Sequence, residues 1–175
     1  MATLIAFYSR AGENYFGGTY RHITVGNTEQ AAEMLADLTG GELYHIEQAQ
    51  PYSDTYETCI AEAKVDLQNN VRPEVLDLPE DLDAYDKIYL GYPNYWGTMP
   101  MAVYTFLEHY DWTGKTIHPF CTHEGSGLSH TVQDIQKAAP GAAVTKGLAI
   151  HGSSVAGAGA ALQHWVSSLK GGILS

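Results

Sequence analysis

The sequence predicts a doubly wound α/β protein in which a five-stranded parallel sheet lies between two layers of helices. Three observations predict it. Short apolar runs alternate five times with longer amphipathic stretches. A chain of 175 residues, 45% of them hydrophobic, can bury a core without disulfide or metal staples. Its 18 glycines suit the tight loops that such alternation demands. Strands that alternate with helices pair in parallel, because each helix carries the chain back to the end of the sheet where it started.

Each element has its own warrant. Ala2–Tyr8 is a short apolar run and reads as a buried strand. Thr28–Leu38 reads as a helix, with Ala31, Ala32, Leu35 and Leu38 at helical spacing, Asn27 as its cap and Gln30 completing a capping box. Gly40-Gly41 ends it. Glu42–Ile46 forms a second strand, and Thr55–Gln68 a second helix after the Pro51 loop. Lys87–Tyr92 is the third strand. Met101–His109 is helical, with Val103, Phe106 and Leu107 on one side and Pro100 near its start. Thr116–Cys121 is the fourth strand, Ser129–Lys137 the fourth helix, and Pro140-Gly141 its stop. Ala142–Ile150 is the fifth strand. Val155–Leu169 is the last helix and buries Leu162, Trp165, Val166 and Leu169. No internal repeat appears, so this is not a solenoid, and the length suits a single domain over residues 1–175.

Nine bases against twenty acids give a net charge of −11. That excludes a nucleic-acid binder, which needs clustered Lys and Arg, and an anionic membrane surface as partner. Ten of the acids fall in residues 54–86, beside only Lys64 and Arg72. One face is therefore strongly negative, either for solubility or for docking a partner. Cys59 and Cys121 form no CxxC pair and fit a reducing compartment. The apolar run at residues 1–9 is too short for a signal peptide or a membrane span, so the expected location is the cytoplasm.

In a doubly wound sheet the ligand sits beyond the carboxyl ends of the strands, at the switch point. Three loops meet there. The first begins Ser9-Arg10-Ala11-Gly12-Glu13-Asn14 and reaches the helix at Val25-Gly26-Asn27-Thr28. Small hydroxyl and amide residues at a helix N-terminus suit an anion such as phosphate, although Asn27 as an ordinary cap explains the same pattern. The second loop is Pro93-Asn94-Tyr95-Trp96-Gly97-Thr98-Met99-Pro100. Its adjacent Tyr95 and Trp96 want a flat apolar partner, which a planar heterocycle or the core itself supplies. The third is Thr122-His123-Glu124-Gly125-Ser126-Gly127, whose glycines leave backbone amides free to meet a polar ring edge, or simply to turn.

Other motifs fail on spacing. Gly157-Ala158-Gly159 lacks the third glycine of a dinucleotide fingerprint, since residue 162 is Leu, and no acid follows Asp134. His123-Glu124 meets Gly127 where a zinc HExxH needs histidine. Ser126 lacks the GxSxG elbow of a hydrolase. The strand ends carry Ser9 and Tyr92-Pro93 where a phosphoacceptor receiver domain needs acids. No metal site and no catalytic side chain are assigned.

The loops GYPNYWGTMP and FCTHEGSG make the chain resemble the short bacterial flavodoxin-like proteins of the flavodoxin superfamily, over essentially its whole length. The family opens with Ser/Thr-x-Thr-Gly-Asn-Thr. Here Ser9-Arg10-Ala11-Gly12-Glu13-Asn14 matches imperfectly, and Gly26-Asn27-Thr28 supplies the Gly-Asn-Thr after an insertion. The resemblance implies strand order 2-1-3-4-5 and FMN as cofactor. Ser9, Ala11, Asn14, Asn27 and Thr28 would belong to the phosphate cradle. Pro93, Asn94, Tyr95, Trp96, Gly97 and Thr98 would line the isoalloxazine, and Thr122, His123, Glu124, Gly125, Ser126 and Gly127 would close the other side. Many flavodoxins carry a stacking tyrosine in this last loop; here it holds His123 and no aromatic after it. The implied function is electron transfer with redox partner proteins. The alternatives are an FMN-dependent NAD(P)H or quinone reductase acting on a small redox substrate, and a flavin-free interaction module of the same fold. The insertion, with Tyr15, Phe16, Gly17, Gly18 and Tyr20, either covers the cofactor or is a surface excursion.

Overall fold

The structure, a computed structural model, describes residues 1–170. In chain order its elements are β1 (Ala2–Phe7), β2 (Gly12–Phe16), β3 (Thr19–Ile23), α1 (Asn27–Thr39), β4 (Glu42–His45), α2 (Tyr56–Gln68) and β5 (Tyr85–Pro93). There follow α3 (Met101–His109), β6 (Thr116–His123), α4 (Thr131–Ala138), β7 (Ala143–Val144), β8 (Leu148–His151), a 3₁₀ turn (Gly152–Gly157) and α5 (Gly159–Lys170).

The main sheet runs β4-β1-β5-β6-β7, with β8 also on β6, and every pairing in it is parallel. Leaving aside the β2–β3 hairpin, this is the expected order 2-1-3-4-5. Side chains alternate across the sheet. Leu4, Ala6, Ile88, Leu90 and Ile117 meet α3 and Ile135 of α4 on one face. Ile5, Phe7, Tyr89 and Phe120 meet α1 and α5 on the other. Gly91 lies opposite Phe120 in the register, and a Cβ there would come within 2.2 Å of the Phe120 ring.

Four expectations are corrected. The fifth strand is broken into β7 and β8, and the break falls opposite Pro119 of β6, which has no N–H to give to the ladder. The fourth helix starts at Thr131, because Ser129 has φ 49°, a left-handed conformation no α-helix accommodates. The last helix opens as a 3₁₀ turn and becomes α-helical only at Gly159. Finally, Asn27 does not cap α1. Gly26 occupies the cap position with no side-chain cap bond, and Asn27 is already helical. The Ser9 hydroxyl performs the capping from the β1 loop, accepting the Glu29 N–H at 3.0 Å, while Gln30 donates to the Val25 carbonyl at 2.9 Å.

The insertion is an antiparallel hairpin. Gly17 and Gly18, both at positive φ, make its two-residue turn. Among the described residues no helix is long and apolar enough to cross a membrane.

Candidate cofactor cleft

A cleft of about 360 Å³ opens at the carboxyl ends of the strands, next to the β1/β5 boundary where the strand order reverses. Its three loops are held by specific bonds.

In the first loop the two halves of the split signature are brought back together. Ser9 lies against the start of α1, and Gly26 fits beside it because it has no side chain. A Cβ on Gly26 would fall 2.1 Å from Ser9 Oγ and 2.8 Å from the Arg10 carbonyl. Arg10 does not free a charge for an anion. Its guanidinium donates to the carbonyls of Glu13, Ser53 and Asp54 and so ties the hairpin to the loop before α2. The helix N-terminus, with Thr28 and Asn27 beside it, is what the cleft offers a phosphate.

The second loop turns at Trp96 and Gly97, with φ 57° and 85°, and Tyr95 and Thr98 exchange backbone bonds of 2.8 and 3.1 Å across the turn. That is the geometry of a type I′ turn, in which Trp96 takes a backbone conformation glycine tolerates better. Asn94 fixes the loop: its Oδ1 accepts from Gly97 N–H at 2.9 Å, and its Nδ2 donates to the Gly127 carbonyl and Ser129 Oγ at 2.9 and 3.0 Å. The Trp96 indole donates to the Ile60 carbonyl at 2.8 Å, and Lys64 Nζ sits 4.9 Å from the ring centroid. Tyr95 turns inward, its ring edge-on to Tyr8 at 6.1 Å, and burial holds its hydroxyl pKa well above the ordinary value.

In the third loop His123 Nδ1 accepts the Gly125 N–H at 2.9 Å, which leaves Nε2 to carry the proton of the neutral ring. Burial, and the His151 ring 5.5 Å away, lower the His123 pKa. Glu124 is held by His151 at 3.3 Å and by Ser153. Thr122 and Thr28 join their hydroxyls at 2.8 Å and lock this loop to α1.

Of the residues singled out in the sequence, Ser9, Asn14, Asn27, Thr28, Pro93, Asn94, Tyr95, Trp96, Gly97, Thr122, His123, Glu124 and Ser126 line the cleft. Four do not. Ala11 faces a neighbouring cavity. Thr98 is buried and bonds Asp134 and Tyr104 at 2.7 Å. Gly125 and Gly127 lie outside the cleft lining and turn the third loop at φ 134° and 65°. The cleft also contains Arg10, Tyr15, Tyr56, Ile60 and Gly152, which the sequence reading did not place there. Tyr15 carried a signal, as an aromatic in the insertion. Tyr56 and Ile60 carried none, because only long-range packing brings α2 alongside.

The donor set fits FMN. Asn27 Oδ1 and Glu124 Oε1 are buried acceptors with no hydrogen-bond partner within the protein, so they suit a ligand rich in hydroxyl donors. Gly152 keeps the space near them open: a Cβ there would lie 2.7 Å from Asn27 Nδ2 and 3.3 Å from Glu124 Oε1. A helix N-terminus for a phosphate, orphaned acceptors for a hydroxylated chain and aromatic walls for a planar ring match the three parts of the nucleotide.

Fold and site together define a doubly wound α/β protein with a nucleotide-type cleft at the switch point. A family model for flavodoxin matches residues 19–169. The chain belongs to the flavodoxin family, and FMN is the cofactor that this membership and the cleft assign to it. Among solved structures it is similar to a protein described as a flavoprotein from Bacteroides uniformis, with TM-score 0.76 and 27% identity over 95% of this chain and 97% of that one. It also matches a flavoprotein from Lactobacillus acidophilus solved in complex with FMN, with TM-score 0.64 and 22% identity over 89% and 97% of the two chains. No curated protein matches.

Proposed function

We propose that this protein is an FMN flavoprotein that transfers electrons, serving redox partner proteins. The observation that carries the reading is the convergence of three strand-end loops on one cleft whose buried Asn27 and Glu124 acceptors lack protein partners. The FMN complex of the Lactobacillus acidophilus protein supports the cofactor. When bound, FMN supplies reversible uptake and release of electrons. The protein's part is to bind and to set electrostatics. Ser9 fixes the first turn of α1, whose N-terminus with Thr28 and Asn27 would hold the phosphate without a lysine. Asn94 braces the second and third loops against each other, so the ring site is preorganised. A net charge of −11 opposes further negative charge on the cofactor and favours a strongly donating reduced state.

One observation favours a reductase acting on a small substrate: the third loop brings His123 and Ser126 to the cleft and no Tyr, Trp or Phe to cover it. Two measurements decide. The purified protein should be yellow, or take up FMN when it is added. The carrier reading expects no steady consumption of NAD(P)H with quinone by the protein alone, and steady turnover would support the reductase. A colourless protein that takes up no FMN would refute both and leave the flavin-free interaction module.

A further inference from the structure

The β2–β3 hairpin is joined to the rest of the chain by directed bonds rather than resting loosely on it. Arg10 donates to the Glu13 carbonyl, Asn14 Nδ2 donates to the Arg10 carbonyl at 3.0 Å, and Glu13 Oε1 accepts the Tyr56 N–H at 2.9 Å. The Tyr20 hydroxyl donates to Glu57 at 2.7 Å. These bonds pin both hairpin strands to the first turn of α2. A two-stranded hairpin is marginal alone, and β3 here is almost wholly exposed, so the anchoring serves something other than core burial.

What the anchoring produces is a set of flat rings. Tyr15 stacks on Tyr56 at 6.0 Å with an interplanar angle of 29°, and Tyr20 backs Tyr56 at 5.6 Å. Tyr15 and Tyr56 both face the cleft, yet Tyr15 remains 37% exposed. Trp96 is tied to the same helix through the Ile60 carbonyl. Tyr95 reaches the cleft only in part, its ring packed edge-on to Tyr8, and the third loop brings only the imidazole of His123. Besides Trp96, Tyr95 and His123, then, the rings at the cleft come from the hairpin and α2.

We propose that Tyr15, with Tyr56 behind it, is a cofactor-contacting wall that stacks on or edges the FMN ring system. The insertion that splits the phosphate signature would thus return a tyrosine surface that the third loop lacks. Oxidised isoalloxazine is uncharged, and a wall of tyrosines with Arg10 engaged by three carbonyls suits an uncharged ring. This inference rests on the FMN reading above.

The test is titration of the apoprotein with FMN, following both the dissociation constant and the flavin emission that remains in the complex. Tyr15→Ala is expected to raise Kd about 2- to 12-fold, the span of one aromatic contact, and to increase the emission of bound flavin, because a stacked tyrosine quenches it. Tyr15→Phe should restore the affinity. Leu43→Ala, on the exposed face of β4 and outside the cleft lining, should match wild type within twofold. A Tyr56→Ala variant, judged on emission per bound flavin, reports the same wall from α2. Wild-type Kd and wild-type emission in both Tyr15→Ala and Tyr56→Ala would overturn the wall while leaving FMN binding intact. A wild-type chain that takes up no FMN would overturn both readings.

Discussion

Trp96→Ala is the substitution whose size the structure defines best. The side chain is fixed by its indole bond to Ile60, and Lys64 covers one face, so a ligand ring meets the other. An aromatic residue offers ~150–250 Å² for burial, and Trp96 is 47% exposed, which leaves about 100 Å² open. If a stacked ring covers half of that, transfer at ~25 cal/mol/Å² contributes about 1.3 kcal/mol, and the quadrupole contact adds ~0.5–1.5 kcal/mol. The sum, about 2–3 kcal/mol, corresponds to roughly 30- to 150-fold in Kd. Calorimetric titration of apoprotein with FMN measures it. Trp96→Phe should fall between, keeping a ring but losing the anchor to Ile60. The alanine variant also leaves the backbone at φ 57° without its indole bond, so its apo melting temperature should drop slightly. A Kd within threefold of wild type, in a variant with native circular dichroism, would refute a stacking role for Trp96.

Three further outcomes are expected. Burial, with Lys87 nearby, lowers the His118 pKa from 6.5 to about 4. The unfolded chain then binds the extra proton first, so this histidine contributes stability above pH 6.5 that is lost as pH falls through 4, on the order of 3 kcal/mol. Urea midpoints of wild type and His118→Gln across that range should converge on acidification, and parallel curves would contradict it. Gly91→Ala places a methyl into the Phe120 ring and should destabilise by about 1–3 kcal/mol in chemical denaturation, whereas unchanged stability would mean the ring moves freely. Cys121 is fully buried, which pushes its thiol pKa up to about 12, and burial also raises that of Cys59. Neither should react with a thiol reagent until the protein unfolds; rapid labelling of the native state would count against the packing described.

Local pattern made most of the fold legible. Apolar runs of strand length and helical spacing placed β1, α1, α2, β5, α3 and β6 within a few residues. The misreadings trace to single backbone facts. Pro119 interrupts the ladder from the neighbouring strand, and within residues 142–150 only Gly147 marks the break in the edge strand. Ser129 sits at positive φ, which its identity does not reveal. Asn27 satisfies the rule for a cap, yet Ser9, eighteen residues earlier, takes the role because tertiary contact places it there. The hairpin did leave a mark: Gly17-Gly18 between Tyr15-Phe16 and Thr19-Tyr20, residues that favour strands, is the signature of a two-residue turn.

The cleft was legible where chain order fixes position. A doubly wound sheet must place the ends of β1, β5 and β6 at one edge, so chain order alone singles out the three loops. Depth within a loop was not legible. Thr98 and Trp96 are two residues apart, but the tight turn at Trp96-Gly97 sends one toward Asp134 and the other to the cleft rim. The contribution of α2 depends on how a helix far along the chain lies across the site, and no local pattern encodes that.

Everything above turns on whether this cleft binds FMN with its phosphate at the N-terminus of α1. Parallel calorimetric titrations of the apoprotein with FMN and with riboflavin test it most directly. One FMN per chain is expected, with markedly weaker binding of riboflavin, which lacks the phosphate the helix terminus would hold. Equal affinity for both, or no binding of either, would contradict it.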